Sequence, residues 1–262
     1  MKLINDALKD AGDGIIKFAK EVLGLSIADI NKALLAGEDM LKSITENSTV
    51  TSVMGIIKSL ALSVLVIFFL IELISKSMSV HKMTFEMVIM MLLKLVLAKI
   101  LIENCQPLLK MIEDIGVYIF KNIAIGGGAS DLGDMQGTGG FTYFFLSLFM
   151  FFFLIGVSLG TYTVIYGRVI ELSILWVVAP IAIASFGNDQ FKGTGKKFIQ
   201  DIASIALQLP IIILIIIVMD IAQAAMNSGG IGGGIIGTFT LKSVMLSLIT
   251  KSRSIATKIT GG

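Results

Sequence analysis

Residues 167–208 read GRVIELSILWVVAPIAIASFGNDQFKGTGKKFIQDIASIALQ, and this stretch decides the class of fold. Arg168 and Glu171 open an apolar helical segment that Pro180 interrupts, and a loop with glycines and lysines then leads into a second apolar segment. Ionisable side chains at a membrane boundary are costly unless they are paired or face water. A proline inside a helix removes a backbone donor that lipid cannot replace. The stretch therefore predicts two membrane helices whose polar groups are buried against protein rather than lipid.

The composition of the whole chain indicates an integral membrane protein. Of its 262 residues 55% are hydrophobic and only 15% are charged, whereas a soluble domain has about 25% charged residues. Apolar runs close to the roughly 20 residues that cross a bilayer occur at residues 53–75, 86–104, 141–166, 169–186 and 202–226. We therefore predict an all-α polytopic membrane protein with about five transmembrane helices.

Amphipathic helices are predicted at both ends of the chain, because apolar residues recur there at helical spacing without a run that is long enough to span. Charges every few residues near the start argue against a cleavable signal. Residues 235–250 are short for a sixth span, and the charged Lys242 lies in their middle. The predicted order is an amphipathic N-terminal region at 1–52, a first transmembrane hairpin at 53–104, an amphipathic helix and Gly-rich loop at 105–140, a three-span core at 141–226 with a polar loop at 187–201, and a Gly-rich linker with a basic C-terminal helix at 227–262.

The residue types that catalysis and metal binding use most are scarce. Cys105 is the only cysteine and His81 the only histidine, so one chain can form neither an internal disulfide nor a Cys/His zinc site. No serine or threonine lies in a recognisable nucleophile motif. We therefore predict a protein that is not an enzyme and that has no metal and no cofactor.

Among the ionisable residues within the predicted spans, Lys94 and Asp220 call for a partner or an aqueous environment. Lys94 is near the middle of the span at 86–104, where a lysine costs about 2.5–3.5 kcal/mol to insert. It either pairs with Glu72 of the preceding span or faces a water-filled interior, and the residues leave both alternatives open. Asp220, near the end of the last span, is expected to face the interior of an oligomer or a partner helix.

The motifs of the opening stretch resemble the TrbL family, the polytopic inner-membrane channel subunit of type IV secretion systems. They are closest to the versions carried by conjugative elements of Gram-positive bacteria. The residues that carry the resemblance are GRVIE at 167–171, API at 179–181, Asn188, GTG at 193–195 and Gln208. The match is looser over the hairpin at 53–104.

The resemblance implies a non-enzymatic subunit of a conjugation machine in the cytoplasmic membrane. It implies a ring-like homo-oligomer, with a pentamer as one candidate, in contact with membrane lipid. Other implied partners are further secretion-system subunits, including cytoplasmic ATPases, and transiently a single DNA strand with its relaxase. It also implies an external N-terminus and a cytoplasmic C-terminus, which the nearly balanced Lys and Arg counts do not decide.

We expect a specific structural or functional role for each polar residue of this stretch. Arg168 and Glu171 are spaced to form an ion pair on one helix face, or Arg168 lies beside a translocation path and contacts phosphate. Pro180 is expected to kink its helix. Asn188, Gly193 and Gly195 are expected to shape a loop that protein covers.

Three lysines of the loop, Lys192, Lys196 and Lys197, form the best basic cluster in the chain. They are expected to contact either DNA, the acidic face of a partner subunit or lipid phosphate. The alternative function is a small ion channel or secondary transporter, in which Lys94, Glu72 and Asp220 form an intramembrane site. The sequence shows no internal repeat that would support this alternative.

Overall fold

The computed structural model describes residues 2–23, 27–78, 84–123, 140–228 and 235–261, and these residues are almost entirely helical, without a strand. The helices in chain order are α1 Lys2–Leu23, α2 Ile27–Thr45, α3 Ser48–Met78, α4 Phe85–Glu103, α5 Cys105–Ile123, α6 Gly140–Ala184, α7 Lys192–Ser228 and α8 Ile235–Thr260. A 3-10 turn, Ser185–Gly187, follows α6. The predicted all-α class is confirmed. Most of the two predicted glycine-rich loops, and His81, lie outside the described residues.

Three helices in the described part of the chain are long and apolar enough to cross a membrane, namely Ser48–Met78, Gly140–Gly187 and Lys192–Met226. They agree with a membrane location, but the predicted count of five spans is not confirmed. α4 is not one of these three helices. Its 19 residues include four charged ones, Glu86, Lys94, Lys99 and Glu103, so its composition is less apolar than that of the three.

The two spans predicted at 141–166 and 169–186 are parts of one helix. α6 runs through Gly167 and Arg168 without a turn. Its 45 residues are about twice the roughly 20 residues that cross a bilayer. The sequence does not reveal the continuity, because an arginine beside a glycine is typical of a boundary between spans.

The chain divides into two compact units. Unit 1 comprises Met1–Gly37, Ile119–Gly167 and Leu209–Arg253, and unit 2 comprises Glu38–Tyr118, Arg168–Gln208 and Ser254–Gly262. Each unit therefore contains one part of α6 and one part of α7. Each unit has its own hydrophobic core.

The core of unit 1 lies between its parts of α6, α7 and α8, with Leu34 of α2 buried against it. A Cβ at Gly160 would lie 2.7 Å from Cδ1 of Leu246, so the absence of a side chain on α6 permits the close approach of α8. α1 packs on the aromatic start of α6, where Tyr143 donates a hydrogen bond to the Asp13 carboxylate.

Unit 2 has two buried clusters. In the first, α3 and α4 approach each other through Ala61 and Ala98, whose small side chains are almost fully buried, and Ile183 of α6 packs on the same cluster. In the second, Trp176 of α6 and Ile205 of α7 pack with apolar residues of α2 and α5. Both clusters consist of apolar side chains. In water the burial of such side chains is the main force that drives folding, whereas in lipid the close packing between helices stabilises their association.

The contact between α5 and α7 depends on Gly116. A Cβ at this position would lie 2.6 Å from the backbone carbonyl oxygen of Ala206. A backbone oxygen cannot rotate away as a side chain can, so any larger residue at Gly116 separates the two helices.

We expect Gly116→Ala to lower the stability of the protein by about 1–3 kcal/mol, the usual cost of overpacking a core. The matched control is Gly55→Ala, because Gly55 also lies inside a helix but has no neighbour within 4 Å of its Cβ position. Alanine at such a site stabilises a helix by roughly 0.5–1 kcal/mol. Thermal unfolding of the purified protein in detergent measures both effects, and equal shifts for the two variants would contradict the contact.

Candidate functional site

The loop between the 3-10 turn and α7 is fixed to α3 by its own side chains. Asn188 is buried; its Nδ2 donates to the carbonyl oxygen of Phe68 at 2.9 Å, and its Oδ1 accepts from the backbone N–H of Gln190 at 2.8 Å. The ring of Phe191 stacks on that of Phe68 with their centroids 4.9 Å apart. The loop is therefore covered by protein at its start and anchored to α3 by both backbone and ring contacts.

Glycines on either side of the loop allow it to pack closely. A Cβ at Gly187 would collide with the side chain of Leu65 on α3, and one at Gly195 would lie 2.7 Å from the ring of Phe186 and 2.8 Å from Oγ of Ser185. Gly193, by contrast, has nothing within 4 Å of a Cβ position. The space around Gly193 therefore does not require a glycine, unlike the space around Gly187 and Gly195.

Five ionisable side chains meet at this loop, and we call them the loop cluster: Glu72 and Lys76 of α3, Lys94 of α4, Asp189 of the loop and Lys192 of α7. Glu72 is only 4% exposed. Its Oε1 lies 3.3 Å from Nζ of Lys76 and 3.5 Å from Nζ of Lys94. Its Oε2 accepts a hydrogen bond of 2.9 Å from the backbone N–H of Asp189. Both oxygens of this buried carboxylate are thus satisfied.

Asp189 supplies the second carboxylate of the loop cluster. Its Oδ2 accepts a 2.7 Å hydrogen bond from Nζ of Lys94 and lies 3.3 Å from Nζ of Lys76. Its Oδ1 lies 3.6 Å from Nζ of Lys192. The hydrogen bond from Lys94, followed by that from Lys76, holds the pKa of the Asp189 carboxyl well below its usual range.

Lys94 consequently lies between two carboxylates, Glu72 and Asp189. Of the two alternatives that the sequence left open, pairing with Glu72 is confirmed. Asp189 was missed, although an acidic residue inside an otherwise basic loop is a signal that could have identified it. A buried carboxylate and a lysine on an apolar helix are tolerated because each neutralises the other within the protein.

Arg168 lies apart from the loop cluster and links other helices of unit 2. Its side chain is 4% exposed, and its Nε donates to the carbonyl oxygen of Ile205 on α7 at 2.9 Å. Its guanidinium interacts electrostatically with the carboxylates of Glu113 on α5 and Glu38 on α2. The predicted ion pair with Glu171 is not among its contacts in the described part of the chain, because the guanidinium turns into the core instead of along its own helix.

The remaining predicted residues are distributed over both units. Pro180 is buried within α6, which continues through it to Ala184. Lys196 and Lys197 are exposed in the first turns of α7, and Gln208 is buried. Asp220 belongs to unit 1, where its carboxylate interacts electrostatically with the ammonium group of Lys242, a buried lysine of α8.

Comparison with known proteins finds no family model, no curated protein and no solved structure that matches the chain. The resemblance to the TrbL family therefore rests on the motifs of residues 167–208. All of these motifs lie in unit 2, apart from Gly167 at its boundary.

We expect Glu72→Gln to destabilise the protein by about 1–3 kcal/mol, because Lys94 and Lys76 each lose a charged acceptor in a buried place. Glu103→Gln is the matched control, since Glu103 is 53% exposed and its oxygen lies 3.8 Å from Nζ of Lys99. Exposed pairs of this spacing contribute about 0.3–0.5 kcal/mol. Thermal unfolding in detergent separates the two variants, and an equally small loss for both would show that the loop cluster contributes little.

Proposed function

We propose that the protein is a membrane channel or scaffold subunit of a conjugative type IV secretion system. In this role it forms part of the route by which DNA and its bound protein cross the cytoplasmic membrane. The proposal starts from the resemblance of residues 167–208 to the TrbL family. It includes a multi-pass arrangement with about five membrane crossings, an external N-terminus and a cytoplasmic C-terminus.

One structural observation carries the proposal beyond the motifs themselves. The stretch that bears the resemblance is a single packed element, in which Arg168 at its start bonds to Ile205 near its end and the intervening loop binds α3 through Asn188 and Asp189. Residues that only crossed lipid would not need such contacts, because apolar side chains suffice for that purpose. A rigid polar element at this position supports a role in organising a protein assembly.

The surface of unit 2 supports contacts with lipid or further subunits. α3 exposes large apolar side chains along one face, including Val66, Leu70 and Ile74, and α4 exposes Leu93 and Leu97. Exposed apolar faces of this extent mark contacts with membrane or protein. The proposed partners are copies of the chain in a ring, other secretion-system subunits including cytoplasmic ATPases, membrane lipid, and transiently single-stranded DNA with relaxase.

A small ion channel or secondary transporter is the second candidate, favoured by the position of Lys94 between Glu72 and Asp189. Ionisable residues on apolar helices often bind a transported ion or substrate. The site that the sequence suggested for this function combines Lys94 and Glu72 of unit 2 with Asp220, which lies in unit 1. In the loop cluster, Asp189 supplies the second carboxylate instead.

We expect deletion of the gene from a conjugative element to abolish DNA transfer to recipient cells while leaving donor growth unchanged. The same gene supplied in trans should restore transfer, which excludes an effect on neighbouring genes. Transfer frequency in mating assays is the measurement. Normal transfer from the deletion strain would overturn the secretion role, and ion or solute flux through the protein in liposomes would then identify the transporter.

The basic cluster yields a second functional prediction. Changing Lys192, Lys196 and Lys197 together to Gln should weaken photocrosslinking of the transferring DNA strand to the protein, because side chains that contact phosphate supply most of the sequence-independent affinity. The matched control changes Lys2, Lys9 and Lys17 of α1, which are also exposed, to Gln. Crosslinking that persists in the first variant would assign the cluster to a partner subunit or to lipid instead.

A further inference from the structure

Within unit 1, helix α1 lies along the first turns of α6, and the two helices run in the same direction. Three contacts that advance together along both helices fix this arrangement: Asn5 with Gly140, Gly12 with Tyr143, and Phe18 with Phe151. At the middle contact, a Cβ on Gly12 would lie 2.7 Å from the ring of Tyr143, and the hydroxyl of Tyr143 donates a hydrogen bond to Asp13. α1 is therefore parallel to α6 and does not lie across its end.

The charged side chains of α1 form a stripe along one face of the helix, which we call the charged stripe. They occur at positions i, i+4, i+7, i+8, i+11 and i+15, and residues at this spacing share one side of a helix. All of them are exposed: Lys2, Asp6, Lys9, Asp10, Asp13 and Lys17. Lysines and aspartates are equal in number, so the charged stripe has no net charge. So many exposed charges require contact with water, because each is costly in hydrocarbon.

The opposite side of α6 at the same level is apolar and exposed. Its phenylalanines, which we call the phenylalanine face, are each more than half exposed: Phe141, Phe145, Phe149 and Phe152. The first three of them stand two residues before the residues that contact α1, which are Tyr143, Ser147 and Phe151. Two residues correspond to about 200° around a helix, so the phenylalanine face points away from α1. Exposed aromatic rings of this extent favour hydrocarbon over water.

The charged stripe and the phenylalanine face make opposite demands on their surroundings at one level of unit 1. If lipid surrounded this level, the charges of α1 would lose their hydration, and if water surrounded it, the four aromatic rings would be exposed to water. Residues 140–167 of α6 contain no charged side chain, and this run is longer than the roughly 20 residues that cross a bilayer. Both demands are met together when lipid borders the side of α6 and water borders the side of α1.

We propose that α1 and the first turns of α6 form a wall between membrane lipid and a water-filled passage. The charged stripe of α1 borders the passage, and the phenylalanine face of α6 contacts the acyl chains of the lipid. This inference rests on the proposed channel role and names the part of the chain that lines the passage. Because the charged stripe has no net charge, it keeps the passage hydrated without the excess of cations that binds nucleic-acid phosphates. The wall therefore differs in role from the lysines at the start of α7.

Cysteine labelling of the full-length chain in liposomes tests the wall, with a charged maleimide present on both sides of the membrane. The reagent attacks the thiolate, which hydrocarbon suppresses by raising the pKa of a thiol. Asp10→Cys and Lys17→Cys should therefore react about 10-fold or more faster than Phe145→Cys and Phe152→Cys. The wild type, whose only cysteine is the buried Cys105, gives the background. In denaturant all four variants should react alike, which controls for intrinsic reactivity.

Fast labelling at all four positions would place this part of α6 outside the hydrocarbon and overturn the wall. Slow labelling at all four would show that the charged stripe is not hydrated, with the same consequence. Phe149→Trp keeps an aromatic ring and so gives a readout even if a cysteine variant does not fold. Its fluorescence, above the baseline of the buried Trp176, should be quenched by lipids with brominated acyl chains and not by iodide. Quenching by iodide would assign the phenylalanine face to water, and quenching by neither would assign it to another protein surface; both results would overturn the wall.

The labelling result and the mating assay can fail separately. The expected labelling contrast together with normal DNA transfer from the deletion strain would overturn the secretion role alone, and the passage would then serve another solute. Equal labelling of both faces together with loss of transfer would overturn the wall alone, and the secretion role would stand with a passage lined by other parts of the chain.

Discussion

The position of Lys94 between the carboxylates of Glu72 and Asp189 is the interaction on which the arrangement of unit 2 depends. It joins three separate segments, since Glu72 lies on α3, Lys94 on α4 and Asp189 in the loop before α7. A lysine on so apolar a helix is costly by itself, and a buried carboxylate is costly by itself. The ion pairs of Lys94 with Glu72 and Asp189 offset both costs. The pair with Asp189 forms only while the loop stays in place.

The loop cluster and the group around Arg168 solve the problem of buried charge in different ways. In the loop cluster three ammonium groups meet two carboxylates, and backbone and side-chain donors satisfy both oxygens of Glu72. Around Arg168 the carboxylates of two glutamates act electrostatically on one guanidinium, whose Nη2 has no hydrogen-bond partner among the described residues. The first arrangement is that of a structural element, whereas the second leaves a buried donor unsatisfied among the described residues.

The sequence predicted part of the candidate site and missed the rest for identifiable reasons. Lys94 and Glu72 were recognised as possible partners because both stand out on apolar helices, but helix spacing does not tell how two helices align. Asp189 was missed because 95 residues separate it from Lys94. Arg168 was expected to pair with Glu171, since spacing along a helix is the only relation between them that a sequence displays, whereas its observed acceptor is a backbone carbonyl 37 residues away.

The sequence by itself determined that the chain is all-α and that long apolar helices dominate it, because composition and the period of apolar residues are local properties. Only the tertiary structure decided that Gly167 and Arg168 lie within one continuous helix and which carboxylate meets which cation. The physical reason is that burial of Arg168 is possible only where α7 offers a carbonyl and α5 and α2 offer carboxylates. These neighbours are brought together by packing between helices, which no local pattern specifies.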